Sequence, residues 1–298
     1  MNERGTSMKK KSKWWKPLSL LPLSALMLLA GCEKDGVLNP KGPAAKEQYD
    51  LIVWSTSLMA IFILIMFIIF TVIVVKYREK PGMENYEPLD QHGNKWLEIL
   101  WTLIPVIIVI VLTVPTVKSI YNLEEPARKD VKPIVVHVTS ANWKWIFSYP
   151  ELGIETVNYL AIPEDTPIQL KMTSAGPMNS FWVPELGGQK YTMSGMNTQL
   201  YLQADEPGDY MGRSANFSGE KFTDMTFSVE AKTQTKFEKW VKEVKEKEKP
   251  LTKKEYDTIL KPGLVGRMTF TGTHLQWVDH AKENAHSSHM DMEMEEHE

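Results

Sequence analysis

The chemistry open to this chain is limited by its single cysteine, Cys32. One thiol excludes an intramolecular disulfide, a Cys-x-x-Cys redox or metal pair, and a covalent haem held by two cysteines. His92 and His137 stand alone. The other histidines considered lie in or near an acidic C-terminal tail, where nothing fixes the geometry of a metal site: His274, His280, His286 and His289. The sequence therefore predicts no metal, no cofactor and no catalytic residue in this chain.

The position of Cys32 predicts a lipid anchor. A basic start leads into an apolar stretch at residues 17–30, and Ala30-Gly31 comes directly before the cysteine. This is the layout of an export signal, and an apolar run of roughly 14 residues is shorter than the ~20 that a membrane-spanning helix needs. The ending resembles the bacterial lipobox, so residues 1–31 are predicted to be a signal peptide and Cys32 to carry diacylglycerol. The alternative is an uncleaved short apolar helix with an incidental cysteine.

Two uncharged apolar runs, residues 51–75 and 99–117, are long enough to span a membrane as helices. The segment between them carries four basic residues near its ends, which favours a cytoplasmic location for this loop. Export of Cys32 indicates the same orientation. Residues 32–120 are therefore predicted to form a lipid anchor and a two-helix hairpin in the bacterial cell membrane, with the rest of the chain outside the cytoplasm. Buried helices of a soluble protein are the alternative, which the preceding export signal disfavours.

Glu98 lies at the cytoplasmic start of the second apolar run, after Lys95 and Trp96. Ionisable side chains at such positions are costly to bury and are often functional. Glu98 is therefore the functional candidate of the hairpin. The alternative is an interfacial glutamate that only pairs with Lys95.

The pattern changes to short strands beyond residue 121. Apolar residues alternate along segments such as 134–138 and 225–229, and proline and glycine turns separate the segments. About 100 residues of this kind predict an all-β sandwich or small barrel over residues 121–231.

The C-terminal part of the chain is predicted to form helices followed by a disordered tail. Residues 232–285 have a charged, helical period, and Thr252 and Glu255 are spaced as a capping box at the start of a short helix. Residues 286–298 are acidic and low in complexity, which predicts a disordered tail.

Charge excludes one class of partner. The formal net charge is -3, but residues 1–31 contain six basic residues and one acid, which leaves 28 basic and 36 acidic residues in the rest of the chain. A domain this acidic repels phosphate backbones, so the sequence predicts no nucleic acid partner.

Several segments together resemble subunit II of the haem–copper oxidases. They are residues 96–105 (WLEILWTLIP) at the second span, residues 142–145 (NWKW) in the outward domain, and residues 180–187 (SFWVPELG) and 207–212 (PGDYMG), which are similar to the two metal-loop regions of that family. The match covers about residues 45–230 in the same order. It implies an α-helical membrane hairpin followed by a cupredoxin-like sandwich.

The sequence departs from this family where the copper-containing members bind their dinuclear copper centre. When the family's ligand spacing is carried across, the ligands are replaced by Asn179 for a histidine, Ser214 and Ser218 for two cysteines, Asn216 for a glutamate and Phe222 for a histidine, and only Met225 matches. Paired thiolates hold two coppers because soft sulfur suits copper, whereas serine hydroxyls are hard, weak ligands. The resemblance therefore implies a subunit II without a copper centre.

The branch of the family that lacks this centre takes electrons from membrane quinol. Residues 188–196 (GQKYTMSGM) also resemble the quinol-oxidase form of the loop. The resemblance implies a structural and assembly subunit of a proton-translocating oxidase that oxidises quinol, with menaquinol preferred over ubiquinol, and reduces O2 to water. Its partners would be the catalytic subunit I, which would hold the haem and copper, and small membrane subunits.

The resemblance also implies roles for individual residues. Glu98 would lie at the mouth of a proton-uptake path into subunit I. Trp143 and Trp145 would pack the outward domain against subunit I, because large aromatic side chains are good interface anchors. Two alternatives are a cytochrome c oxidase subunit II, which the missing thiolates disfavour, and a membrane-anchored extracytoplasmic binding or sensor lipoprotein.

Overall fold

The computed structural model describes residues 36–78 and 93–282. The predicted signal peptide, Cys32, His92 and the acidic tail with His286 and His289 lie outside these residues. The chain divides into a unit Met1–Asp35 and a unit Gly36–Glu298, and every described residue belongs to the second unit.

Two long helices form the predicted hairpin, α1 at Pro43–Tyr77 and α2 at Lys95–Leu123. Both are long and apolar enough to cross a membrane, with mean hydropathies of 3.4 and 2.6 over their most apolar stretches. Their apolar side chains are mostly exposed in the isolated chain, as expected for helices that face lipid or another membrane subunit. The prediction of two membrane helices is confirmed.

The helix starts follow from local sequence. Pro43 occupies the first turn of α1, where a missing backbone N–H costs nothing. Asn94 caps α2, because its side-chain oxygen accepts hydrogen bonds from the backbone N–H groups of Trp96 at 3.0 Å and Leu97 at 3.4 Å. This cap places Glu98 in the first turn of α2.

The domain that follows the hairpin is a two-sheet sandwich, as predicted. The strands are β1 Ile134–Ala141, β2 Lys144–Tyr149, β3 Ile154–Val157, β4 Tyr159–Pro163, β5 Ile168–Ser174, β6 Asn179–Val183, β7 Gly187–Thr192, β8 Thr198–Leu202, β9 Gly208–Ser214, β10 Thr226–Lys232 and β11 Met268–Thr271. One sheet has the order β11-β3-β2-β1-β5-β8 and the other β4-β10-β9-β6-β7. The pairs β1–β5 and β4–β10 are parallel, and the other pairs are antiparallel.

Aromatic rings fill the space between the sheets. Phe181 from β6 stacks on Phe227 from β10 with ring centroids 4.9 Å apart, and Trp145 from β2 meets both rings at 5.4 and 5.5 Å. These three side chains are buried in the main core cluster, which also contains Val136 and Val138 of β1. Burial of this apolar surface is the main stabilising contribution to the sandwich.

The hairpin joins the sandwich through close backbone contacts. The N–H of Lys41 donates to the carbonyl of Glu185 at 2.7 Å, and the N–H of Asp205 donates to the carbonyl of Lys41 at 2.9 Å. Gly42 lies between these contacts and α1, and a Cβ there would come 2.1 Å from the carbonyl oxygen of Gln203. The start of α1 is therefore held directly against the sandwich.

The predicted helical extension contains helices α3 at Gln234–Lys247 and α4 at Lys253–Leu260. The capping box is confirmed, because Thr252 and Glu255 exchange backbone and side-chain hydrogen bonds. The extension is not only helical, however. Its strand β11 pairs antiparallel with β3 and completes the edge of the larger sheet, which would otherwise present unpaired backbone groups.

Candidate functional site

The residues aligned with the copper ligands come together at one end of the sandwich. Asn179 begins β6, Ser214 ends β9, and the loop after β9 carries Asn216, Ser218 and Phe222. Strands β6 and β9 are paired, and the carbonyl of Ser180 accepts a hydrogen bond from the N–H of Ala215 at 2.9 Å. The strand register therefore brings the two loop regions into contact.

A hydrogen bond joins two of these positions directly. The Asn179 side chain is fully buried, and its Oδ1 accepts a hydrogen bond from Ser214 Oγ at 3.2 Å. Its Nδ2 donates to the carbonyl of Pro177 at 3.0 Å and to Ser140 Oγ at 3.4 Å. The carboxamide thus links the two loop regions by protein–protein hydrogen bonds at a position where a metal ligand stands in the copper-containing relatives.

The loop itself is held by polar and aromatic contacts. Asn216 Nδ2 donates to the carbonyl of Met178 at 3.1 Å, across to the loop before β6. The ring of Phe222 packs edge-on against Phe217 with centroids 5.0 Å apart, and Phe217 is 72% exposed. The Ser218 hydroxyl is buried and has no hydrogen-bond partner among the described residues.

These residues do not fit a dinuclear copper centre. Asn179, Ser214, Asn216 and Ser218 offer carboxamide and hydroxyl groups, Phe222 offers no ligand atom, and the thioether of Met225 is buried. Neither a thiolate nor an imidazole is present at the aligned positions, and soft donors are what a copper pair requires. Within residues 36–78 and 93–282, no cluster of three or more His, Cys, Asp or Glu side chains is arranged to hold a metal ion.

Glu98 lies where the sequence placed it, at the start of the second membrane helix. It lines a cleft of about 560 Å³ together with Lys95, Ile99 and Thr102. The positive end of the helix dipole favours a carboxylate in this turn. Among the ion pairs of the described residues, none joins Glu98 to Lys95. The role in proton uptake stays a prediction.

The prediction that Trp145 packs against another subunit is wrong. Trp145 is 0% exposed and lies between Phe181 and Phe227 in the sandwich core, so its ring has no surface left for a partner. Trp143 differs because it lies in the turn between β1 and β2 with φ +63°. Its ring is partly buried, and its Nε1 donates to the carbonyl of Ser218 at 3.1 Å. Contact of Trp143 with a partner stays a prediction.

A buried polar cluster lies at the C-terminal extension, where the sequence predicted none. His274 was expected in or near the acidic tail without a fixed geometry, but its ring is buried and its Nδ1 lies 2.7 Å from Glu155 Oε2. Ser148 Oγ donates to the same carboxylate oxygen at 2.8 Å, and the ring of Tyr256 stacks on His274 at 4.4 Å. His280, also assigned to that region, is buried and lies 2.8 Å from the Tyr256 hydroxyl. No local signal marks these pairs, because the two partners of the first are 119 residues apart.

Lys144 is a second buried group without a local sequence signal. Its side chain is fully buried on β2, and its Nζ donates to the carbonyls of Ile259 at 2.8 Å and Lys261 at 2.6 Å. These carbonyls lie at the C-terminal end of α4, where backbone acceptors lack partners within the helix. Burial lowers the pKa of Lys144 below its usual value.

Two family descriptions match the chain. "Cytochrome C oxidase subunit II, transmembrane domain" matches residues 43–119, which cover α1 and most of α2. "Cytochrome C oxidase subunit II, periplasmic domain" matches residues 151–232, which cover strands β3 to β10. Both matches agree with the order of hairpin and sandwich along the chain.

Individual relatives match along nearly the whole chain. A protein from Bacillus cereus named "Quinol oxidase subunit 2" is 63% identical over 275 residues, which are 91% of this chain and 94% of that protein. A protein of the same name from Bacillus subtilis is 50% identical over 273 residues, which are 90% of this chain and 85% of that protein. Among solved structures, the periplasmic domain of subunit II of cytochrome oxidase of Bradyrhizobium japonicum is 19% identical, covers 41% of this chain and 99% of its own, and has a TM-score of 0.38.

Proposed function

Because this chain belongs to the cytochrome c oxidase subunit II family, we propose that it is subunit 2 of a respiratory quinol oxidase in the bacterial cell membrane. The relatives named for this function are 50% to 63% identical to it over about nine tenths of its length. Its two membrane helices and its sandwich correspond to the transmembrane and periplasmic parts of the family. The complex would oxidise quinol and reduce O2 to water with proton translocation.

The observation that best supports this function is the replacement of the copper ligands. Asn179 and Ser214 bond to each other, and neither offers the soft donors that a copper pair needs. A subunit II that holds no copper has no metal centre through which cytochrome c could pass single electrons. We therefore assign the chain no copper and no haem of its own, and a structural and assembly role beside a catalytic subunit I that holds both.

Finer assignments belong to the same proposal. Cys32 would carry lipid, so that the mature chain is held by two spans and an acyl anchor with the sandwich outside the cytoplasm. Glu98 would admit protons toward subunit I, and Trp143 would contact that subunit. Menaquinol is the preferred donor over ubiquinol, and small membrane subunits would complete the complex.

One purification tests this function. The tagged chain is isolated gently from its own membranes, and the co-purifying proteins, the haem spectrum, the metal content and the rates with quinol and with reduced cytochrome c are measured. We expect a large haem-bearing partner, rapid oxygen consumption with quinol, and no copper beyond what the partner holds. Mass spectrometry of the N-terminal peptide from the same sample should detect the lipid on Cys32.

Two outcomes would contradict the proposal. Oxidation of cytochrome c but not of quinol would indicate a cytochrome c oxidase subunit. Isolation of the chain without any haem protein would favour the membrane-anchored binding or sensor lipoprotein.

A further inference from the structure

A cleft of about 720 Å³ opens between α1 and α2 at the ends of the helices that lie next to the sandwich. Leu51 and Trp54 line it from α1, and Val111 and Val114 line it from α2. The spacing of these residues puts each pair on one face of its helix, so the two helices present one continuous apolar wall. The cleft is distinct from the replaced copper-ligand positions and from the cleft at Glu98.

The cleft ends in polar groups at the boundary of the apolar runs. Asp50 directly precedes the apolar run of α1, and Lys118 directly follows that of α2; both line the cleft. Ile110 lies at the deep end of the cleft, eight positions before Lys118 in α2. This spacing corresponds to about 12 Å along a helix. A ligand here would place its polar part at the membrane surface and its apolar part in the hydrocarbon.

Ser119 provides an unsatisfied polar group in this wall. It is 3% exposed, and its hydroxyl has no hydrogen-bond partner among the described residues. The nearby hydroxyls of Thr113 and Thr116 both donate to carbonyls four residues earlier in α2, each at 2.8 Å. A buried hydroxyl without a partner is costly, so the exception at Ser119 points to a bound group that completes it.

The charges around the cleft restrict the kind of occupant. Within the part of the chain that the structure describes, neither Asp50 nor Lys118 forms an ion pair. Glu47 also lines the cleft and accepts a hydrogen bond from Asn122 Nδ2 at 3.0 Å, which bridges the helices. Two acids against one lysine disfavour an anionic phosphate head group and leave a neutral amphiphile with hydroxyl groups as the better fit.

We propose that this cleft binds the head group of a membrane quinol and the start of its isoprenoid tail. The Asp50 carboxylate accepts a hydrogen bond from one quinol hydroxyl, Ser119 Oγ pairs with the other end of the ring, and the apolar wall holds the ring and tail. The proposal rests on the proposed function, because it takes quinol to be the substrate of the complex. It adds a binding site in this chain.

Steady-state kinetics of the purified complex test the polar contacts. Ser119→Ala and Asp50→Asn should each raise KM for a short-tailed quinol about threefold to tenfold, the value of one hydrogen bond, with kcat kept. The controls are Thr116→Ala, which removes a hydroxyl from α2, and Glu124→Gln, which removes a charge from the residue directly after α2; neither residue lines the cleft. A KM equal to that of the parent in both cleft variants would overturn the proposal.

Photolabelling of the unmodified complex tests binding independently of the variants. A photoreactive quinone analogue should label peptides that contain Trp54 or residues 110–119, and excess quinol should prevent this. Label found only in other subunits, or label displaced by phosphatidylglycerol but not by quinol, would overturn the proposal in favour of a lipid site. Failure of the proposed function is distinguishable, since the parent complex would then not oxidise quinol at all.

Discussion

At the scale of single residues, the replaced copper-ligand positions show how side chains can hold two loop regions without a metal. Asn179 uses both ends of its carboxamide, accepting from Ser214 and donating to Pro177 and Ser140. Buried polar groups stabilise a structure only when they are paired, and removing one partner costs more than the bond itself contributes.

Asn179→Ala should therefore lower the free energy of unfolding by about 1–3 kcal/mol, because Ser214 loses a buried acceptor and the Pro177 carbonyl loses a donor. Thermal or denaturant unfolding of the full-length chain in detergent, followed by tryptophan fluorescence, measures this loss. The control is Asn216→Ala, which removes an exposed amide that water can replace. Equal losses in the two variants would contradict the assigned network.

Glu98 is a residue whose loss should affect turnover and not folding. Glu98→Gln keeps the shape of the side chain and removes the charge, so we expect an assembled complex with slower proton-coupled oxygen consumption. Lys95→Gln, in the same helical turn, is the matched control and should leave turnover unchanged. Unchanged turnover in Glu98→Gln, measured with an oxygen electrode at saturating quinol, would exclude the role.

At the scale of elements, buried polar contacts bind the C-terminal extension to the sandwich. Lys144 on β2 caps the C-terminal end of α4, and Glu155 on β3 holds His274 after β11. Both pairs lie where the outer face of the larger sheet is covered, which explains why every residue of β2 is buried. The extension is therefore part of the folded domain.

Lys144→Ala should weaken the attachment of the C-terminal end of α4 to β2. The substitution leaves the carbonyls of Ile259 and Lys261 without their donor and removes a fully buried side chain, so we expect a loss of about 2–4 kcal/mol. Hydrogen exchange over Lys253–Leu260 should become faster. Lys254→Ala, which removes an exposed lysine from the same helix, should change exchange little; equal acceleration in both would refute the cap.

The stability of the first turn of α4 should depend on pH. Hydrogen bonds from Lys249 and Thr252 lower the pKa of Glu255 from its usual 4.5 to about 2. Because the folded pKa is the lower one, the stabilisation is complete above pH 4.5 and is lost as the pH falls toward about 2. Glu255→Gln should remove this component, measured as the difference in α4 exchange between parent and variant across that window. A difference that persists unchanged through the window would contradict the assignment.

In the whole molecule, the backbone contacts at the start of α1 fix the position of the sandwich relative to the hairpin. Lys41 bonds to backbone groups of two separate loops, and Gln48 Nε2 on α1 donates to the carbonyl of Gly188 at 3.1 Å. A partner that binds both the hairpin and the sandwich therefore meets a fixed arrangement of the two.

Gly42→Ala should loosen these contacts, since the added Cβ would lie 2.1 Å from the Gln203 carbonyl oxygen and the backbone would have to move. We expect faster hydrogen exchange at the amide of Asp205, with exchange in the sandwich core unchanged. Gly266→Ala is the control, because a Cβ there meets nothing within 4 Å. Unchanged exchange at Asp205 would show that these contacts tolerate the side chain.

Features that depend on residues close together in the chain could be predicted from the sequence. Uninterrupted apolar length predicted the two membrane helices, alternation predicted the sandwich, and the spacing of Thr252 and Glu255 predicted a capping box. The spacing shared with the family identified the residues that replace the copper ligands. Each of these signals depends on residues near one another in the chain or on a spacing shared with a family.

The three-dimensional structure was needed to show which side chains are buried and which residues bury them. Trp145 lies in the core and not at the predicted interface, His274 and His280 are buried although they were expected in or near the acidic tail, and β11 lies at the edge of the larger sheet. The structure also shows a cleft between α1 and α2 that the sequence did not predict. The reason is physical: burial depends on contacts between residues far apart in sequence, such as Lys144 and Ile259, 115 residues apart, which no local period encodes.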